Sequence, residues 1–143
     1  MASEILKKGR AAITAQSSSA LTAAQYPEDG SYAADSNCTT INNTIGSTNG
    51  NGADFVVLEL DVTTAPSNVA NSANIYYRGS DNGSTWTDWR YSHVVGRALK
   101  TAADRYDAGD YVLRHKHTQL CVAAVGYNFT SVLYAYPKLY EAQ

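Results

Sequence analysis

Four residues constrain this chain more than any others: Val56, Leu58, Leu60 and Val62, spaced by two and uniformly apolar. Between them stand Phe55, Val57, Glu59 and Asp61, a mixed set. A period of two sends successive side chains to opposite faces of an extended chain, so this run reads as a strand with one buried face. The even-numbered set should face a core, and Pro66 should end the strand. A fold built on it needs further strands to pair with and a second layer to cover its apolar face.

The next stretch, Asn74–Val95, supplies strands. Ile75, Tyr76 and Tyr77 favour strand, Asp81-Asn82-Gly83 is a turn triplet, and Thr85, Trp86, Trp89 and Tyr91 resume strand character. Asn82-Gly83 accepts positive φ cheaply and marks a hairpin. Downstream, Tyr111-Val-Leu-Arg-His-Lys-His-Thr reads as a strand that could continue into Gln119–Gly126. Ser131–Tyr140 reads as the last strand, with Pro137 arguing for an edge or an exit. Ala108-Gly109-Asp110 reads as a turn, and Arg97–Asp107 as a loop or a short helical turn. Strands with frequent turns and no long helical pattern predict an all-β fold, a jelly-roll-like β-sandwich over residues 51–143.

Residues 1–50 differ. Ser36–Gly52 is almost entirely Ser, Thr, Asn and Gly, with only Cys38, Ile41 and Ile45 to bury. Such a stretch buries too little apolar area to offset its ordering entropy alone. It is expected to be an extended polar N-terminal arm, ordered by a partner. Its spaced anchors for such contacts are Ile5, Leu6, Ile13, Leu21, Tyr26 and Tyr32. Lys7, Lys8 and Arg10 form a basic cluster suited to an acidic surface.

Eleven tyrosines against two phenylalanines point to surfaces that are half apolar and half wet. The net charge of −2 carries no global nucleic-acid signature. No run of apolar residues approaches a membrane span, and the first ten residues lack the apolar core of a signal peptide. Cys38 and Cys121 lack zinc-ligand spacing. Cys121, in an apolar run, reads as a small buried residue, and a long-range disulfide to Cys38 stays open. His115 and His117 would share a strand face, read as solvated rather than metal-binding, and His93 has no identifiable nucleophile beside it. No catalytic motif, cofactor loop or metal set is expected, so the chain does not read as an enzyme.

Two resemblances add to this. Gly79-Ser-Asp-Asn-Gly-Ser-Thr-Trp86 resembles the Asp-box of sialidases and other β-proteins, departing at Gly79 where that motif has Ser or Thr. The resemblance implies a structural turn in which Asp81 accepts backbone N–H bonds, Gly83 takes the turn conformation and Trp86 packs beneath. In plan, the arm, the Thr/Asn/Gly linker and the Tyr-rich sandwich resemble the capsid decoration (cement) proteins of tailed bacteriophages. Leu21–Gly30 and Gly52–Val62 carry that impression. The resemblance implies a homotrimer on the outer surface of the assembled head, made in the host cytoplasm. Its partners would be the major capsid protein and copies of itself, with no nucleic acid, membrane or cofactor. The competing expectations are a carbohydrate-binding β-sandwich, using Trp86, Trp89 or Tyr91 as a stacking platform, and a tail or connector virion component.

Overall fold

The computed structural model describes residues 12–69 and 72–140. They form eight strands: β1 Ile13–Leu21, β2 Ile41–Asn42, β3 Phe55–Thr64, β4 Ser72–Ser80, β5 Arg90–Val94, β6 Asp104–Val112, β7 His117–Val125 and β8 Phe129–Lys138. Two short 3₁₀ turns, Pro27–Asp29 and Ala34–Asn37, lie between β1 and β2. Strands β1-β8-β3-β6 make sheet A, and β2-β7-β4-β5 make sheet B. All pairings are antiparallel. Every connection except β4–β5 passes from one sheet to the other, which is the wrapping of a jelly roll. The all-β sandwich expected from the alternation is therefore the fold.

The alternation works as expected. Val56, Leu58, Leu60 and Val62 are at most 1% exposed. They meet Ile75, Leu120 and Val122 of sheet B in one core cluster. Truncating any of these four to alanine removes about 1–5 kcal/mol of stability, depending on size and on how far the site collapses.

The division at residue 50 does not survive. Strand β1 pairs with β8 from Ile13–Ala135 to Leu21–Phe129, and Ile13, Ala15, Leu21 and Ile41 are core residues. The supposed arm thus contributes an edge strand to each sheet. Residues beyond β1 also cover the outer face of sheet B. Tyr32, Ala34 and Cys38 pack on Tyr76, Cys121 and Ala123, with Trp89 beside them. For this reason β7 is buried on both faces from Thr118 to Ala124. The Tyr76 hydroxyl donates to Glu28 Oε1 at 2.9 Å, fixing the Pro27–Asp29 turn to the sheet.

The polar linker orders itself rather than waiting for a partner. Asn49 Oδ1 accepts from the N–H groups of Asn42 and Gly50, while its Nδ2 donates to the Thr40 carbonyl. Asn51 Oδ1 accepts from Gly46 N–H, and Ser47 Oγ from Asn51 N–H. These side chains supply the backbone partners that an apolar-poor loop otherwise takes from water.

Three local expectations are corrected. Ala108-Gly109-Asp110 is a bulge inside β6, because Val57 faces Asp110 and Glu59 faces Asp107, leaving two residues against Leu58. Gly109 takes φ +79° there, which explains its turn-like sequence. The strand pattern breaks at residues 113–116, so Tyr111 belongs to β6 and Gln119 to β7. Pro137 lies in β8, a central strand. It faces Val56 of β3 and lies two residues beyond Ala135, the last β8 position paired with β1 among the described residues.

Candidate functional site

Among the described residues no segment covers the outer face of sheet A as residues 22–40 cover that of sheet B. Phe55, Val57, Val132, Tyr134 and Tyr136 are half-buried on the sheet A face, with charges set among them. The cross-strand register makes one network of these. Glu59 faces Tyr134 on β8 and Asp107 on β6, and Asp61 faces Val132 and Arg105. Arg105 Nη1 lies 2.8 Å from Glu59 Oε1, and its Nη2 lies 3.5 Å from Asp61 Oδ2. The Tyr136 hydroxyl donates to the same Glu59 oxygen at 3.2 Å. The Arg105 guanidinium stands 5.6 Å from the Tyr134 ring centre. Asp61 first and Glu59 second hold Arg105 more firmly protonated than usual. Burial, then the neighbouring Glu59 carboxylate, raise the Tyr136 hydroxyl above its ordinary value.

This arrangement leaves a shallow depression of about 250 Å³ between Val57, Glu59, Arg105 and Tyr136. Its walls are rigid strands whose side chains are held by one another. Aromatic rings therefore stand beside exposed ion pairs in which two carboxylates share one guanidinium, so the face is half apolar and net acidic. Arg105 does not stand out in the sequence, where Arg97–Asp107 reads as a loop or a short helical turn. The signal was there: Tyr106 and Ala108 are buried, while Arg105 and Asp107 between and beside them are exposed.

The turn after β4 differs from its expected chemistry. Asn82 Oδ1, not Asp81, accepts the N–H groups of Ser84 and Thr85, each at 2.8 Å. Ser80 Oγ accepts from Gly83 N–H at 2.9 Å. The Asp81 side chain is 89% exposed, with only His115 Nδ1 3.8 Å away. Gly83 does take the turn conformation, at φ +78°. The departing position, Gly79, has a steric reason: a Cβ there would lie 2.0 Å from the His115 ring. The loop over residues 81–89 is longer than a tight hairpin, and Thr87 closes it by bonding both the N–H and the C=O of Gly79.

Trp86 is not buried beneath the turn. It is half-exposed and takes the Arg78 guanidinium at 4.7 Å, while Trp89 takes the same group at 5.1 Å. Arg78 Nε in turn donates to Gln119 Oε1 at 2.8 Å. The Arg78 guanidinium thus lies over one face of each ring.

Of the expected contact residues, Ile5, Leu6, Lys7, Lys8 and Arg10 lie outside the described residues. Ile13 and Leu21 are core residues and face inward. Tyr26 is half-buried just before the first 3₁₀ turn. Tyr32 is half-buried between both clusters and accepts a hydrogen bond from Gln16 Nε2. His115 and His117 do not share a strand face, because His115 lies before β7. Among the described residues no group of three or more His, Cys, Asp or Glu could hold a metal ion, and no helix is long and apolar enough to cross a membrane. No protein-family profile, curated protein or solved structure matches the chain.

Proposed function

We propose that the chain is a bacteriophage virion structural protein, a capsid decoration protein that binds the outer surface of the assembled head and reinforces it. The observation that carries this reading is the open outer face of sheet A, with its half-buried tyrosines and ion network. A reinforcing protein needs many modest contacts repeated by symmetry, and a flat rigid face offers them. Tyrosine gives contact area at low rotamer cost. Jelly rolls recur in capsid proteins, which supports the reading by analogy alone. Lys7, Lys8 and Arg10 would add an electrostatic contact to an acidic shell, and trimers would place three copies of the face around one axis.

The test is copy number in purified particles by quantitative mass spectrometry. A decoration protein is present in a fixed ratio to the major capsid protein, set by the shell's symmetry axes. A handful of copies per particle would instead indicate a tail or connector component, and absence from particles would end the virion reading.

A carbohydrate-binding module is the second reading. It draws on Tyr91, which is 50% exposed and meets Tyr76 edge-on at 5.9 Å between ring centres. Glycan-array binding that disappears in Tyr91→Ala would favour it.

A further inference from the structure

The two cysteines, distant in sequence, meet on the outer face of sheet B. Cys38 and Cys121 are both thiols. Cys121 belongs to the small cluster there, and Cys38 packs against that cluster. The Cys38 sulfur lies 3.3 Å from the carbonyl oxygen of Leu120, the residue before Cys121, and 3.1 Å from that of Ala34. The backbone agrees. Cys38 bridges to Gln16, and Gln16 Oε1 accepts from Val122 N–H, so Cys38 is held alongside residues 120–122 of β7. Tyr32 is flanked by both: its hydroxyl is raised by burial first, then by the nearby Cys121 and, less, by Cys38. A disulfide needs Cα atoms roughly 4.4–6.8 Å apart, a separation typical of chain segments packed side by side.

We propose that Cys38 and Cys121 form a reversible disulfide that fastens the segment of residues 22–40 to β7. Accessibility fixes the order of events. Cys38 is half-buried and Cys121 is fully buried, so Cys38 meets an external reagent first. The Cys38 thiolate attacks one sulfur of a small external disulfide such as oxidised glutathione. That S–S bond breaks and one glutathione thiolate leaves. The Cys121 thiolate then attacks the Cys38 sulfur, forming the intramolecular bond and expelling the second glutathione thiolate. The two protein thiols lose two protons and two electrons, and the external disulfide takes them up as two thiols. The cross-link closes the long loop between the cysteines, which constrains the unfolded chain. It does not depend on the virion reading.

The test treats the full chain with oxidised glutathione, once in buffer and once in urea, then maps peptides without reduction. The expected result is a Cys38–Cys121 cross-link within one chain. Once glutathione is on Cys38, closure to the cross-link should be about tenfold faster in the folded protein than in urea, because folding holds the two sulfurs together, and dithiothreitol should reverse it. In Cys38→Ser, which leaves the buried thiol in place, Cys121 should stay unmodified under native conditions. The proposal is overturned if glutathione remains on Cys38 while Cys121 stays a thiol. It is equally overturned if folding gives no rate advantage, or if Cys121 reacts as fast in Cys38→Ser as in the parent chain.

Discussion

The backbone N–H of Val122 donates to the carboxamide oxygen of Gln16 at 3.0 Å, although more than a hundred residues separate them. Gln16 is 1% exposed and also donates to the Tyr32 hydroxyl. One side chain from the presumed arm thus satisfies β7 where β2 no longer pairs with it, and ties down the segment covering sheet B. Gln16→Ala would leave a buried N–H without a partner and is expected to cost about 2–3 kcal/mol in urea denaturation. Deleting residues 1–25 removes β1 with Ile13 and Leu21, and should abolish the cooperative unfolding transition altogether. A truncated chain that melts like the parent would restore the arm as a separate piece.

The turn after β4 separates two neighbouring residues. Asn82→Ala removes the acceptor of two N–H groups and is expected to cost about 1–2 kcal/mol, as loss of a capping side chain does. Asp81→Ala, at an exposed position, should stay within about 0.5 kcal/mol of the parent. Chemical denaturation of the two variants side by side decides it. Equal losses would mean that Asp81 has the role the Asp-box resemblance implies.

Trp86 and Arg78 should be coupled. Trp86 is only half-buried, so Trp86→Ala is expected to cost about 1–2 kcal/mol, below the 3–5 of a fully buried aromatic. A double-mutant cycle with Arg78→Ala should give a coupling of about 0.5–1 kcal/mol from the cation–π contact. Additive losses would show that the contact contributes nothing.

Stability should fall at high pH. Burial pushes the Tyr111 hydroxyl up to about 12, and burial is also the leading cause of the raised values at Tyr32 and Tyr76. A group whose folded value is raised holds its proton longer when folded. Its contribution is complete below the unfolded tyrosine value of about 10 and is lost as pH rises from there toward the folded value. Urea midpoints should therefore decline steadily between about pH 10 and 12, as the tyrosines of the unfolded chain ionise while the buried ones keep their protons. A flat profile would mean that these hydroxyls ionise as they do in the unfolded chain.

What the sequence made legible was whatever depended on local period. Val56, Leu58, Leu60 and Val62 announced both the strand and its buried face, and Asn82-Gly83 announced a turn. What stayed hidden depended on remote partners. Ile13–Leu21 is poor in large apolar residues, because Gln16 and Ser19 are buried there and bonded to groups far along the chain. The linker's asparagines looked like disorder because composition counts apolar area and does not count hydrogen bonds made within a loop. On the open face, Arg105 was separable from ordinary surface charge only once the pairing of β3 with β6 set it between Glu59 and Asp61.

The proposed role of sheet A in attachment is tested most directly by binding to undecorated heads. Parent protein and the variants Tyr134→Ala and Val132→Glu are added to such shells, and bound copies are counted after sedimentation. Circular dichroism checks that each variant is folded. Both side chains are half-exposed on the open face and outside the core, so folding should be unaffected. The expected result is saturable binding of the parent and at least about a tenfold loss of affinity for each folded variant, the scale of a contact residue within an interface. Equal binding by parent and folded variants would contradict the assignment of sheet A as the attachment face. No binding by the parent to any such shell would contradict the decoration reading itself.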